Sequence, residues 1–400
     1  MAGDDQHPDA SPEPGTSGPA DSAPASGGSL LGDSSEVHST RTRTRSRGSS
    51  KKRRSFVRRH KALTALLALF ALLAVIAVGG IVYVQSKLGQ IDHVDVAGSL
   101  PEAERPDKVP GEALNVLMAG VDNGEGPSIA ESVESVDWEP GLHRSDTIML
   151  LHISGDRQSA YVVSIPRDTY TTIYDEKGQP AGKHKINAAF SLYGPAAYVS
   201  TIEHLTGIRM DHLAIIDWDG FKALTDALGG VLIYIPETVT EGADVTWSKG
   251  YQYMYGEEAL RYVRTRHGLA GGDFDRIRRQ QNFIRSLMSD LLEKGTLGNP
   301  LNLASVLDAV TRNLTVDDEW SSGDLRGLAF SMRGLRTNDV TFLSAPLATN
   351  WNQSISGEGD VVLLDKKQCS ELWKAIANDK VGAYAEAHRS DQLPNERSVN

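Results

Sequence analysis

Twenty-three consecutive residues without a charge, ALTALLALFALLAVIAVGGIVYV from Ala62 to Val84, set the first limit on how this chain folds. At about 1.5 Å of rise per residue, such a run crosses the roughly 30 Å of a bilayer's hydrocarbon core. A cleaved leader fits less well, because its apolar region is shorter, sits nearer the start and precedes a small-residue cleavage site. The run is therefore expected to be a transmembrane helix over 62–84. The basic cluster KKRRSFVRRHK, Lys51 to Lys61, stands before it and nothing comparable follows. That asymmetry predicts a cytoplasmic amino terminus and an extracytoplasmic remainder in the cell membrane, single-pass.

Charge divides at the same place. Residues 1–61 hold 11 Lys+Arg and 7 Asp+Glu, which leaves the outer part with 30 basic and 45 acidic residues, a net charge of -15. Such a surface argues against general nucleic-acid binding and makes any local arginine cluster informative. Residues 1–61 are otherwise Pro, Ser, Gly, Ala and Asp, too poor in apolar side chains to offset the entropy of ordering, so a disordered tail is expected. A single cysteine, Cys369, excludes an intrachain disulfide and a multi-cysteine metal site.

Residues 85–113 are polar and punctuated by proline, which reads as a stalk. A first strand, NVLMAGV, ends at Asp122, and an insertion from Asn123 to His143 with five acids and no Lys or Arg reads as a solvated loop, with a lid as the alternative. TIMLLHIS and SAYVVSIP are separated only by GDRQ, which permits a hairpin and leaves no room for a crossover helix. Helical and β-branched runs then alternate to about residue 380. The pattern predicts one α/β domain over 114–380, an α/β/α sandwich with a mixed central sheet, followed by a frayed tail over 381–400.

The hairpin has a geometric consequence. In an antiparallel pair the start of one strand lies beside the end of the other, so HRSD (Arg144, Asp146) and PRD (Arg167, Asp168) share one sheet edge. If the first strand runs parallel to the third, Asp122 joins them at the carboxyl end of the strands, where open α/β sheets bind ligands. Carboxylates and guanidiniums together suit a metal cation with phosphate oxygens. Each Arg/Asp pair taken alone reads equally well as an ion pair capping a strand end.

Six arginines and no lysine occupy RYVRTRHGLAGGDFDRIRRQQ, Arg261 to Gln281. Arginine's rigid fork grips paired oxygens, which points to a polyanion. The stretch reads as a short helix, a glycine loop and a long helix. On a 100° wheel Ile277, Ile284, Leu287, Met288 and Leu291 form the buried stripe, Gln280 lies within it and Arg276 flanks it, while Arg278 and Arg279 point to solvent. Arg264 and Arg266 stand at the end of the short helix. There is no G-x-S-x-G elbow, H-E-x-x-H or P-loop.

Taken together, GVD (120–122), RSDT (144–147), SIPRDT (164–169), KINAA (185–189) and RYVRTR followed by DFDRIRRQQ resemble the LytR-CpsA-Psr family of cell-envelope proteins. The resemblance covers roughly residues 110–350, with the motifs in the family's order. It implies a membrane-anchored phosphotransferase that moves a glycopolymer from a polyprenyl-pyrophosphate carrier to peptidoglycan. It also implies magnesium held by Asp122 and Asp146, with Asp273 in the same site, and pyrophosphate bound by Arg144, Arg167, Arg264, Arg266, Arg276 and Gln280. Arg144, Asp146 and Arg167 are the residues it marks as catalytic. Asp275 departs from the family's usual small residue and is expected to weaken the charge of Arg276. A hydrolase acting on the same carrier, or a non-enzymatic envelope scaffold, are the competing expectations.

Overall fold

The computed structural model describes residues 61–96, 98–124, 126–134, 138–241, 245–265, 269, 272–293 and 300–399. The expected tail over 1–60 lies outside them. The chain divides into Met1–Ala65 and a compact unit, Leu66–Asn400.

In chain order the elements are α1 (Lys61–Leu88), β1 (Asp92–Val94), β2 (Leu114–Asp122), α2 (Ile129–Glu134), β3 (Arg144–Ile153), β4 (Ala160–Ser164), β5 (Tyr170–Tyr174), β6 (Pro180–Lys185) and α3 (Asn187–Thr206). Then come β7 (His212–Asp217), α4 (Trp218–Ala227), β8 (Val231–Ile235), β9 (Val239–Glu241), β10 (Val245–Trp247), β11 (Gly250–Met254), α5 (Gly256–Arg264) and α6 (Asp273–Glu293). The chain closes with α7 (Pro300–Asn313), β12 (Leu314–Asp317), α8 (Ser322–Ser331), β13 (Val340–Ser344), β14 (Leu347–Ile355), β15 (Gly359–Leu364), α9 (Lys366–Ala377) and α10 (Val381–Ala387).

Seven strands form a mixed central sheet in the order β1-β12-β7-β2-β3-β4-β13. β2 pairs antiparallel with β3, β3 antiparallel with β4, and β2 parallel with β7, so β2, β4, β7 and β13 all point their carboxyl ends the same way. Side chains alternate across the strands as the pleat requires. One face, with Leu117, Leu150, Val163 and Leu213, packs against α3, α9 and α10 through Phe190, Tyr198, Leu372 and Tyr384. On the other face Met149, Val162 and Phe342 meet Ile284 and Met288 of α6 and Leu328 of α8. Helices on both faces of a mixed sheet make the α/β/α sandwich expected from the alternation of elements.

α1 contains one stretch, Leu69–Leu88, of 20 residues and mean hydropathy 2.2, long and apolar enough to cross a membrane. From Leu69 to Val82 its Leu, Phe, Val and Ile side chains are exposed within the protein itself, whereas Leu88 packs against Ile91, Val116, Val316 and Trp320.

Three expectations need correcting. The segment 85–113 is not a free stalk: Ile91, Val94, Val96, Leu100 and Val109 are buried, and β1 pairs parallel with β12 at the sheet's edge. Residues 381–400 do not fray as a whole, because α10 buries Val381 and Tyr384, and Arg285 Nη1 donates to the Pro394 carbonyl at 2.7 Å. The insertion 123–143 is not simply a solvated loop. It carries α2 and buries His143, whose ring packs against Trp138 at a centroid distance of 5.1 Å, and Trp138 in turn meets Phe190 edge-on. In each case scattered apolar residues among polar ones supply a one-sided contact that composition averages away.

Candidate active site at the carboxyl edge of the sheet

The expected convergence is present. Asp122 ends β2 and stands opposite Arg144, the first residue of β3, in the ladder. Gly120 pairs with Thr147 and Val121 with Ser145, so the ladder skips Asp146, the extra residue of a β-bulge. Bulges re-aim a side chain that regular pairing would fix. β4 ends at Ser164, and the following turn carries Arg167 and Asp168. It is held by Thr169 Oγ1 donating to the Pro166 carbonyl at 2.6 Å and by the Asn187 N–H donating to the Arg167 carbonyl at 3.2 Å.

Arg167 bridges both predicted pairs. Its Nη1 is bonded to Asp146, and its Nε lies 3.5 Å from Asp168. Lys185, from the KINAA motif, adds a second cation to Asp168 at 3.3 Å. Across the edge, Arg264 Nη2 reaches Asp122 Oδ2 at 3.3 Å, and its guanidinium lies 5.3 Å from the centre of the Trp218 ring. The other Asp122 oxygen accepts from the Gly124 N–H at 3.0 Å. The side chains of Asp146, Arg167 and Asp168 are between 16 and 19 % exposed, so these charges are shielded from bulk water yet reachable. Arg144 is exposed.

Helix α6 closes the site from the side. It is anchored to the sheet by Gln281, whose Nε2 donates to Ser164 Oγ at 2.9 Å and to the Leu343 carbonyl at 2.7 Å, at the ends of β4 and β13. Arg276 is buried in its first turn, and Gln280 is buried and donates to the Val263 carbonyl of α5 at 3.3 Å. α5 and α6 are thus locked together, and with them Arg264 and Arg276. Asp275 pairs with Arg278 at 3.4 Å.

The wheel misplaced one residue. Arg278 is exposed, as expected, but Arg279 is fully buried, with its guanidinium 4.5 Å from the centre of the Tyr262 ring and 5.5 Å from that of Trp247. The reason is that α6 is covered on two sides. Ile284 and Met288 face the central sheet, while Phe283 and Leu287 face a second cluster built from β8, α5 and Trp247. Burial raises the Tyr262 phenol to about 12, against the opposing pull of the Arg279 cation. Arg266 lies outside the described residues, as does the side chain of Asp273. Among the described residues no group of three or more His, Cys, Asp or Glu gathers as a metal cage.

Sequence reasoning passed over a chain of polar residues behind Asp122. Asn123 Nδ2 donates to Asp217 Oδ2 at 3.0 Å, while its carbonyl oxygen lies 3.2 Å from His143 Nδ1, and His143 Nε2 lies 2.7 Å from Ser132 Oγ. Asn123's carbonyl can only accept, so His143 carries its proton on Nδ1 and accepts from Ser132. Burial lowers the His143 pKa, which keeps the ring neutral. Asp217 ends β7 and caps α4 by accepting from the Gly220 N–H at 2.8 Å, and burial raises its pKa. The signal for Asp217 was available: it ends a strand of the same direction as β2, so the rule that found Asp122 also selects it.

The LytR_cpsA_psr family matches residues 84–378. The cell wall biosynthesis protein LcpA of Corynebacterium glutamicum is 32% identical over 323 residues, covering 70% of this chain and 60% of LcpA, so this chain spans about three fifths of that relative. Among solved structures, the LytR-Csp2A-Psr enzyme of Actinomyces oris superposes with a TM-score of 0.54 at 21% identity, covering 72% of this chain and 96% of that one. TagT bound to LIIa-WTA gives 0.53 at 22%, covering 72% and 99%. These structural likenesses establish the fold, and the match over residues 84–378 establishes the lineage: the chain belongs to the LytR-CpsA-Psr family.

Proposed function

We propose that this protein is a membrane-anchored phosphotransferase that moves a glycopolymer from a polyprenyl-pyrophosphate carrier to peptidoglycan. α1 spans the membrane with its amino terminus in the cytoplasm, and the sandwich works on the outer side. The observation that carries the reading is the bridge made by Arg167 between Asp146 and Asp168, with Asp122 and Arg264 beside it on one sheet edge. A pure polyanion binder gains nothing from carboxylates among its arginines.

In this reading Arg144, Arg167, Arg264 and Arg276 bind the pyrophosphate oxygens, with Arg266 and Gln280 completing the set. Guanidinium forks match phosphate geometry, and fixed donors aimed at developing charge supply most of the rate enhancement in phosphoryl transfer. Gln281 and the Gln280 to Val263 bond hold α6 in place, so these donors are set before substrate arrives. Carboxylate oxygens on neighbouring strands are the donors a hard cation takes, so Asp122 and Asp146 are the residues that would hold magnesium, with Asp273, whose side chain lies outside the described residues, as the third expected from the family resemblance. When bound, it supplies charge neutralisation on the phosphate oxygens. A sugar hydroxyl of the acceptor attacks the sugar-linked phosphorus, the bridging P–O bond breaks, and polyprenyl phosphate leaves. The hydroxyl proton passes to one of the two carboxylates held by Arg167, Asp146 or Asp168.

The test uses the full chain in detergent with a synthetic polyprenyl-pyrophosphate disaccharide and peptidoglycan fragments, with and without magnesium. Sugar phosphate covalently joined to the fragments, lost in Arg144→Ala and Asp146→Asn, is the expected result. Free sugar phosphate without joined product makes the protein a hydrolase. Carrier binding without turnover makes it a scaffold.

A further inference from the structure

A cleft of about 690 Å³ opens immediately after the Arg167–Asp168 turn. Its floor starts at Thr169, which is buried and bridged to Val362, and the Val362 N–H donates to the Asp168 carbonyl at 2.8 Å. Cleft and catalytic turn therefore share backbone. Thr171 and Thr172 of β5 line one side, and Thr349 and Asn350 of β14 line the other. Three lysines stand round it: Lys183 of β6, and Lys366 and Lys367 at the start of α9. All three are exposed. The carboxylate in the cleft, Asp365, caps α9 by accepting from the N–H groups of Lys367 and Gln368, both at 2.9 Å.

Hydroxyls and an amide suit the hydroxyl and acetamido groups of sugars, and a lysine cluster suits carboxylates. The cluster is informative because the outer part of the chain is otherwise strongly acidic. The apolar part of its lining, Leu205, Ala348, Leu363 and Leu364, can pack against the apolar faces of sugar rings, while the three lysines and Asp365 disfavour a prenyl chain.

We propose that this cleft holds the acceptor: a wall glycan strand whose stem peptides carry carboxylates, laid along β5 and β14 so that a sugar hydroxyl reaches the Asp168 side of the site. The assignment rests on the transferase reading above. The donor is held through its pyrophosphate by the arginines, so the lysines govern the acceptor alone.

The test is binding, which needs no turnover. Full-length protein in detergent is co-sedimented with peptidoglycan sacculi stripped of attached polymer, and its affinity for the polyprenyl-pyrophosphate donor is measured separately. Lys183→Glu/Lys366→Glu/Lys367→Glu is expected to weaken sacculus binding at least tenfold and to leave donor affinity unchanged. Lys177→Glu, whose side chain is 73% exposed outside the cleft lining, is expected to match the wild type. Sacculi with amidated stem carboxylates are expected to bind wild type and triple variant alike. Equal sedimentation of wild type and triple variant on untreated sacculi overturns the proposal, as does a loss confined to the donor. If sacculi bind through the cleft and no transfer occurs, the transferase reading fails while the acceptor site stands.

Discussion

Beside its apolar contacts, the segment between β1 and β2 is tied to α3 by a buried ion pair, and breaking that pair has a calculable cost. Glu203 on α3 is 2% exposed and accepts from Arg105 Nε at 3.1 Å, from Arg105 Nη2 at 2.7 Å and from the Met210 N–H at 2.9 Å. Arg105 itself is 6% exposed and also donates to the Met210 carbonyl at 2.8 Å. Glu203→Gln keeps the shape, removes the charge and leaves a buried guanidinium uncompensated, a loss of about 3–5 kcal/mol. For a unit of this size that lowers the melting midpoint by roughly 6–10 °C. Trypsin is also expected to cut after Lys108, which Val109 follows, under conditions where the wild type resists. Adding Arg105→Met to Glu203→Gln removes the stranded charge and is expected to recover most of the loss. A drop below about 1 kcal/mol in the single variant, or a double variant no better than the single, refutes the reasoning.

Three further outcomes follow from buried groups. Arg279→Ala is expected to destabilise by roughly 3–5 kcal/mol, since it removes stacking on Tyr262 and Trp247 and leaves a cavity, whereas Arg278→Ala stays within about 0.5 kcal/mol; urea midpoints compare them. Burial lowers the pKa of both His143 and His152, so the unfolded chain takes up protons first as the pH falls below about 6.5. Stability is therefore complete above that pH and falls below it by at most about 1.4 kcal/mol per pH unit for each ring, and His143→Gln is expected to flatten the urea-midpoint profile between pH 7.5 and 5.5. Gly194 kinks α3 at φ 85°, and a methyl there meets the Trp138 ring at 3.2 Å. Gly194→Ala is expected to cost about 1–3 kcal/mol and to shift the tryptophan emission as the 123–143 insertion loosens.

What the sequence disclosed depended on how many faces of each element are buried. Strands such as NVLMAGV and TIMLLHIS sit in a central sheet covered on both sides, and their continuous apolar runs announce them. The site was legible for the same reason: a four-residue link fixed the antiparallel hairpin, and the hairpin fixed which Arg and Asp residues meet. The β5–β6 and β14–β15 hairpins escaped notice because they lie outside the central sheet, and runs such as TTIY and TNWNQS show little alternation to read. Arg279 was misread because a helical wheel assumes one buried stripe, whereas α6 is packed between two clusters. Ile91, Val94 and Val109 were spaced too widely among polar residues to register as a contact surface.

Asp146 marks the limit of that legibility. A regular ladder would set Asp122 opposite Ser145, whose hydroxyl is buried against the Tyr198 hydroxyl at 3.2 Å, and would leave Arg144 one position beyond the end of β2. The skipped residue restores Arg144 to a place directly across from Asp122 and releases Asp146 from the alternation, where Arg167 takes hold of it. No periodicity in RSDTIML predicts the bulge, because a single extra residue leaves the apolar pattern of the strand intact beyond Thr147. The sequence thus names the charged residues and the edge they share, while the ladder's one irregularity decides which carboxylate faces which cation, and so which of them can meet a phosphate.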